Sequence, residues 1–239
     1  MCTMSWVFDT DGYDLFFNRD ELVTRKVAYP PEIRSGNGVS YIVPIDADAS
    51  GTWMGVNQFG MTVALMNSYG QIVQDGPFVS RGLLVLSLLD CSGQKGVLER
   101  LEQISLTDYR PLTIAVFEPG QSVAICRWDG QVSQVQKDVA PPLMSSSFRE
   151  SAVADHRVAL FEALEEVNPT SLRAYHSGHI PEAGAYSVCM HRDDARTMSL
   201  SWVQVSRDQA SFFYSPGAPC QTDFLPPVSL DLTNCIEAI

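Results

Sequence analysis

The sequence lacks the long apolar runs of membrane proteins. Its longest one, residues 83–89, is interrupted by Ser87 and falls far short of the roughly 20 residues that span a bilayer. The N-terminus has no basic start, and Asp9, Asp11 and Asp14 interrupt the place where the apolar stretch of a signal peptide would lie. These absences predict a cytoplasmic protein without membrane insertion.

Basic residues are also scarce. Sixteen Lys and Arg side chains stand against 28 Asp and Glu, so the net charge is −12 and no basic stripe is present. A protein with this net negative charge repels a phosphate backbone, so we do not expect nucleic acid as a partner. The motifs G-x-G-x-x-G, Walker A and G-x-S-x-G are absent, so dinucleotide, phosphate-loop and serine-hydrolase functions have no support.

Paired metal-binding motifs are lacking as well. The six cysteines are scattered without a C-x-x-C pair, which favours free thiols over a disulfide framework. They are Cys2, Cys91, Cys126, Cys189, Cys220 and Cys235. The pairs His176/His179 and Cys189/His191 each offer only two ligands, which is a poor zinc signal. The sequence therefore predicts no metal site and no cofactor.

The pattern of apolar residues predicts the architecture. Hairpins are expected near residues 2–17 and 51–67, with an irregular stretch at 21–50 between them. Helices are expected at 80–91, 96–104 and 151–167, the last ended by Asn168-Pro169, and strands at 112–117, 123–128, 132–135, 186–191, 197–205 and 210–214. Short-turn hairpins imply antiparallel sheets, and this order of elements predicts an α+β fold: a four-layer αββα sandwich of two largely antiparallel sheets. We expect one domain over residues 1–239.

Cys2 is the first candidate for chemistry. Methionine aminopeptidases remove an initiator Met that precedes a small residue, and the mature chain would then begin with Cys2. Its α-amine has a reference pKa of about 7.7–8.0, and its thiol has a reference pKa of about 8.5. The amine can therefore serve as the general base for the thiol of the same residue. The alternative is that a cysteine at this position is a coincidence.

The tetrapeptide Asn18-Arg19-Asp20-Glu21 ends the strand that pairs back on Cys2. A guanidinium there stabilises a thiolate, and a carboxylate can hold an α-ammonium group. Because successive strand residues point to opposite faces, Arg19 and Asp20 both reach Cys2 only if the strand ends there. The alternative is a solvated, charged turn.

These residues together carry a family resemblance. Met1-Cys2 followed by FFNRDE, SGTWMGVNQFG and VALMN, with Ser80-Arg81-Gly82 further on, resembles the NRDE family, also called the transport-and-Golgi-organisation type. That family is related to the choloylglycine hydrolases and penicillin V acylases. The resemblance implies the fold of an N-terminal-nucleophile hydrolase.

The resemblance also implies roles for individual residues. Cys2 would be the nucleophile, Arg19 and Asp20 would assist it, and Asn67 would donate to the oxyanion; otherwise Asn67 is a turn-former. Candidates for substrate binding are Asn18, Trp53 (which also fits a core position), Ser146 and Arg196, the last matching a C-terminal arginine of the hydrolases. Where hydrolase relatives carry a second asparagine, residues 143–147 here read LMSSS.

Two functions follow. The first is hydrolysis of a non-peptide amide of a small molecule by Cys2 through a thioester, favoured by the intact Cys2, Arg19, Asp20 and Asn67. The second is a non-catalytic protein that holds or traffics a small hydrophobic ligand, for which the wider family suggests haem. The serines at 145–147 favour the second.

Overall fold

The protein contains two stacked antiparallel sheets, in a computed structural model that describes residues 2–69 and 76–232. The first sheet has six strands in the order β10–β1–β2–β11–β12–β13. They are β1 (Cys2–Phe8), β2 (Tyr13–Leu22), β10 (Leu143–Ser145), β11 (Ala195–Val205), β12 (Gln209–Ser215) and β13 (Val228–Asp231). Every pairing among these strands is antiparallel.

The second sheet has seven strands in the order β3–β4–β5–β6–β7–β8–β9, also paired antiparallel throughout. They are β3 (Tyr29–Gly36), β4 (Val39–Ile45), β5 (Met54–Asn57), β6 (Thr62–Asn67), β7 (Leu112–Phe117), β8 (Ala124–Trp128) and β9 (Ser133–Gln136).

Within the described residues, four α-helices cover the outer faces of the sheets. Helices α1 (Arg81–Leu88) and α2 (Gln94–Gln103), with a 3₁₀ turn at Leu106–Asp108, pack on the second sheet, and α3 (Glu150–Glu162) and α4 (Pro169–Ser177) pack on the first. A third apolar core fills the space between the sheets. The predicted αββα sandwich is confirmed. No helix in the described residues has the length and apolarity needed to cross a membrane.

Residues 21–50 correct the sequence prediction, because they form β3 and β4 and not an irregular stretch. Strand β3 lies at the edge of its sheet, and most of its side chains are exposed, so it carries no apolar alternation. It also contains Pro30 and Pro31, which an edge strand tolerates because one side of its backbone needs no hydrogen-bond partner.

Two further corrections lie between residues 160 and 191. Asn168-Pro169 begins α4, because the Asn168 side chain accepts a hydrogen bond from the Ser171 N–H and proline suits the first helical position. Residues 186–191 form no strand; the only bridge there joins His191 to Arg196. Backbone groups in this stretch instead bond to side chains and to the end of α4.

The Gly-Thr-Trp segment before β5 packs directly on the backbone of α1. A Cβ added to Gly51 would lie 2.5 Å from the carbonyl carbon of Gly82, and one added to Gly82 would lie 2.8 Å from the Thr52 nitrogen. The Thr52 N–H donates to the Gly82 carbonyl at 3.1 Å. Glycine at both positions therefore permits a backbone contact that fixes where α1 begins.

Replacement of Gly82 by alanine tests this contact. Helix propensity alone would favour alanine by up to about 1 kcal/mol, but the clash is with backbone and overpacking costs about 1–3 kcal/mol. We expect Gly82→Ala to lower the free energy of unfolding, measured by urea denaturation. Gly96→Ala in α2 is the matched control, because its new Cβ meets Cys91 at an ordinary 3.6 Å. Equal or higher stability of Gly82→Ala would contradict the close packing.

Candidate functional site

A cavity of about 310 Å³, here called the Cys2 cavity, is bounded by both sheets and the start of α1. Its lining includes Cys2, Trp53, Asn67 and Phe78. Seven charged residues also line it: Arg19, Asp20, Glu21, Arg25, Asp46, Arg81 and Arg110. A cavity lined by this mixture suits a small ligand that has both apolar and charged parts.

Cys2 lies at the edge of this cavity because of strand register. In the first sheet it pairs with Arg19 of β2 on one side and with Ser145 of β10 on the other. Directly paired residues share a face, so the side chains of Cys2 and Arg19 both face the second sheet. Cys2 is 9% exposed, and a ligand in the cavity can reach it.

The environment of the Cys2 thiol disfavours its ionised form. Burial raises the pKa of the thiol, and the nearby Asp20 carboxylate adds to the increase. The pKa is lowered by the Asp20 backbone N–H, which hydrogen-bonds to the thiol, and by the Arg19 guanidinium. The pKa of the thiol nevertheless stays above its usual value. The thiol therefore needs a proton acceptor before it can act as a nucleophile.

Arg19 is held rigidly in the cavity wall. Its guanidinium lies 4.7 Å from the centre of the Trp53 ring and donates to Asp46 Oδ2 at 2.7 Å. Arg25 donates to the same carboxylate at 2.6 Å. Burial opposes ionisation of Asp46, but the Ala49 N–H and the two guanidinium groups hold its pKa below the usual range.

Asp20 approaches Cys2 by its backbone, while its carboxylate lies on the other face of the sheet. There Oδ1 accepts from Thr197 Oγ1 at 2.7 Å, and Oδ2 lies 3.5 Å from Nη1 of Arg157, a fully buried residue of α3. Burial raises the pKa of Asp20, although Arg157 opposes the increase. Strand β2 continues to Leu22, so alternation separates the side chains of Arg19 and Asp20.

Asn67 ends β6 and lines the Cys2 cavity with its amide half-buried. Its Nδ2 donates a long hydrogen bond, of 3.5 Å, to the hydroxyl of Tyr69. Trp53 lines the same cavity, and its buried Nε1 donor has no hydrogen-bond partner among the described residues. The half-buried Asn67 amide therefore offers a donor to a bound molecule, and Trp53 contributes an aromatic wall.

Three candidate binding residues are not brought to the cavity. The Asn18 amide donates to the carbonyls of His176 and Val188 behind the first sheet. Ser146 donates to the carbonyl of Phe148 in the turn before α3, and Arg196 is exposed on β11. None of the three is among the residues that line the Cys2 cavity.

Three arginines of the lining were not predicted from the sequence: Arg25, which pairs with Asp46, and the two residues Arg81 and Arg110. Arg81, the first residue of α1, donates to the Pro111 carbonyl at 2.8 Å, and Arg110 lies exposed with its guanidinium 5.1 Å from the Phe78 ring centre. Neither Arg81 nor Arg110 forms an ion pair with a described carboxylate. Ser80-Arg81-Gly82 was a signal for Arg81, whereas nothing in the sequence singles out Arg110.

Three of the solved structures similar to this chain are named as an acylase, an acid amidase and a bile acid hydrolase. Penicillin V acylase from Agrobacterium tumefaciens matches with a TM-score of 0.58 and 13% identity, over 98% of this chain and 87% of that one. The Caenorhabditis elegans ortholog of N-acylethanolamine-hydrolyzing acid amidase matches with a TM-score of 0.63 and 12% identity, over 95% and 100%. A mutant conjugated bile acid hydrolase from Clostridium perfringens matches with a TM-score of 0.55 and 13% identity, over 97% and 92%.

At such low identities the likeness shows the fold alone, which is that of the N-terminal-nucleophile hydrolases. No curated protein matches the chain. The family model described as Transport and Golgi organisation 2 matches residues 1–151, which is more than half of the sequence, and the chain belongs to that family.

Proposed function

We propose that this chain, after removal of Met1, is a cysteine amidohydrolase that cleaves a non-peptide amide of a small molecule. The observation that carries the proposal is the position of Cys2, opposite Arg19 and at the wall of a cavity that Asn67 also lines. The fold shared with an acylase, an acid amidase and a bile acid hydrolase supports the reaction class.

The proposed base is the α-amine of Cys2. Burial raises the pKa of the thiol, so its proton must be removed by a nearby group. The described lining of the cavity contains no histidine, the usual base of cysteine enzymes. An α-amine has a reference pKa of about 7.7–8.0 and is fixed on the same residue, so it can accept this proton near neutral pH.

The reaction proceeds in two steps. The amine takes the thiol proton and the sulfur attacks the amide carbonyl carbon, giving an oxyanion to which Asn67 Nδ2 donates. The C–N bond then breaks, the leaving amine takes the proton back from the α-ammonium, and a thioester remains. Water adds to the thioester, and the acid leaves as the Cys2 thiol is restored.

Arg81 and Arg110 favour a substrate with an anionic group. Both line the cavity without an ion pair to a described carboxylate, and burial lowers the pKa of Arg81, as does its neighbour Arg110. A carboxylate on the substrate would satisfy both guanidinium groups. The apolar part of the substrate would lie against Trp53 and Phe78.

One observation favours the second candidate, a protein that holds a small ligand, haem included, without cleaving it. Ser145 pairs with Cys2 in the stretch where the resemblance places a second asparagine. Its buried hydroxyl has no hydrogen-bond partner among the described residues, and it lines a separate cavity with Tyr69. In this reading the Cys2 cavity binds its ligand and the thiol has no chemical role.

Removal of the Cys2 thiol separates the two candidates. We expect wild-type protein to release a fluorescent arylamine from at least one member of a panel of N-acyl arylamides. We expect Cys2→Ala to lose at least about 10³-fold in kcat/KM, because the nucleophile is gone. Cys91→Ala, which removes another buried thiol away from the cavity, is the matched control and should keep wild-type activity.

Acid quenching during turnover supplies a second readout. Peptide mapping by mass spectrometry should place the acyl group on Cys2 as a thioester in wild type and nowhere in Cys2→Ala. Equal hydrolysis by both proteins would exclude Cys2 as the nucleophile. Saturable binding of the arylamides with no cleavage by wild type would favour the ligand-holding function.

The anionic preference is tested at Arg110, which is exposed and has no hydrogen bond to a described residue. For a carboxylate-bearing arylamide we expect Arg110→Gln to raise KM about 10-fold, because a charged hydrogen bond contributes about 1.5 kcal/mol or more. The corresponding methyl ester should bind both proteins alike. Arg207→Gln, in the exposed β11–β12 hairpin, is the matched control. An equal increase in KM for the acid and for the ester would show that Arg110 does not recognise the carboxylate charge.

A further inference from the structure

Four side chains with metal-binding atoms converge outside the Cys2 cavity: His179, Cys189, His191 and Cys220. Their ligand atoms all lie within 4.8 Å of one another. They come from three parts of the chain: the residues just after α4, the segment that leads into β11, and the turn after β12. This convergence depends on the tertiary fold, since only two of the four are neighbours in sequence.

Three of the six distances within the cluster are close to those of a tetrahedral metal site. Nε2 of His191 lies 3.2 Å from Nε2 of His179, 3.5 Å from Sγ of Cys189 and 3.4 Å from Sγ of Cys220. Zinc bonds of about 2.0–2.1 Å to nitrogen and 2.3 Å to sulfur place tetrahedral ligand atoms roughly 3.3–3.8 Å apart. A metal ion therefore fits between these atoms with small side-chain movements.

We propose that His179, Cys189, His191 and Cys220 bind one zinc ion with Cys₂His₂ coordination. Two thiolates and two imidazoles are a ligand set that zinc prefers, and magnesium or calcium would require oxygen ligands. Four protein ligands close the coordination shell, so the ion has a structural role and no open position for water or substrate.

Backbone hydrogen bonds hold the ligands in place. The Cys189 N–H donates to the Gly178 carbonyl at 3.1 Å, beside His179, and the Ser187 hydroxyl donates to the Cys189 carbonyl at 2.7 Å. The Cys220 turn is closed by hydrogen bonds from the Gln221 and Thr222 N–H groups to Ala218. The ligands therefore lie on ordered backbone, which reduces the cost of arranging them around an ion.

Burial at the site also suits a structural ion. Cys189 is fully buried, whereas His179, His191 and Cys220 are half-buried. The metal can enter from solution and is then largely shielded from it. The segment between α4 and β11 contains no helix or strand and is held by scattered hydrogen bonds, so a metal crosslink to the Cys220 turn would stabilise it further.

The metal site would support the Cys2 cavity from behind. Carbonyl groups of Tyr186 and Ser187, in the same segment, accept hydrogen bonds from Arg157. Arg157 in turn lies 3.5 Å from the carboxylate of Asp20, whose backbone N–H hydrogen-bonds to the Cys2 thiol. An ion at the cluster would therefore fix the segment that positions Arg157 against Asp20.

Zinc binding by the purified full-length chain tests the proposal. The protein, without a histidine tag and kept reduced, is stripped with a chelator, titrated with zinc chloride, dialysed and assayed for zinc by mass spectrometry. We expect one zinc per chain and a higher Tm in the loaded protein. Cobalt should give the visible bands and the sulfur-to-metal charge transfer of tetrahedral thiolate coordination.

The half-buried ligands provide variants that are expected to fold. We expect Cys220→Ser and His179→Gln each to weaken zinc binding by more than about 100-fold, exceeding the losses from outer-shell changes. Both should abolish the Tm increase, and Cys220→Ser should also weaken the charge-transfer band. Cys91→Ser, which alters a thiol outside the cluster, is the matched control and should bind zinc like wild type.

Three results would overturn the proposal. The first is wild-type protein that binds no zinc at micromolar concentration, and the second is a Cys220→Ser/His179→Gln double variant that binds as well as wild type. The third is a Cys189–Cys220 disulfide in freshly isolated protein, because it would remove both thiolates.

Discussion

The antiparallel register between β1 and β2 determines where each group of the candidate site lies. It places Cys2 directly opposite Arg19, so both side chains face the second sheet and meet at one cavity. Because strand side chains alternate, the same register sends the Asp20 carboxylate to the opposite face, toward Arg157 of α3. A shift of one residue would exchange these faces and remove the site.

The site is consequently supported from both faces of the first sheet. On the cavity side, Asp46 and Trp53 fix the Arg19 guanidinium. Behind the sheet, Thr197 and Arg157 fix the Asp20 carboxylate. Helix α1 completes the cavity wall, and its start is set by the contact of two glycine backbones. Rigid support of this kind is what a preorganised site requires, whether it binds or also reacts.

Much of the fold could be predicted from the sequence, because hairpins and amphipathic helices leave local patterns. Strand β3 left no such pattern, since an exposed edge strand has no apolar alternation and its prolines resemble those of a loop.

For the site, Cys2, Arg19 and Asn67 were found from motifs and lie at one cavity. Tertiary packing alone brings Arg110 to the cavity and Arg157 to Asp20, and it alone assembles the cluster around His191. No local sequence pattern therefore marks these three features. Asn18 was proposed from the same motif as Arg19, but its amide lies behind the first sheet, because adjacent residues of one strand point to opposite faces.

The proposed chemistry rests on a free α-amine at Cys2, because the thiol is buried and the described cavity lining has no histidine to act as its base. The most direct test is the intact mass of the protein purified from its native source, with the N-terminal peptide sequenced by mass spectrometry. We expect a mature chain that lacks Met1 and begins with an unmodified Cys2. A chain that retains Met1, or one with a blocked Cys2 amine, would contradict it.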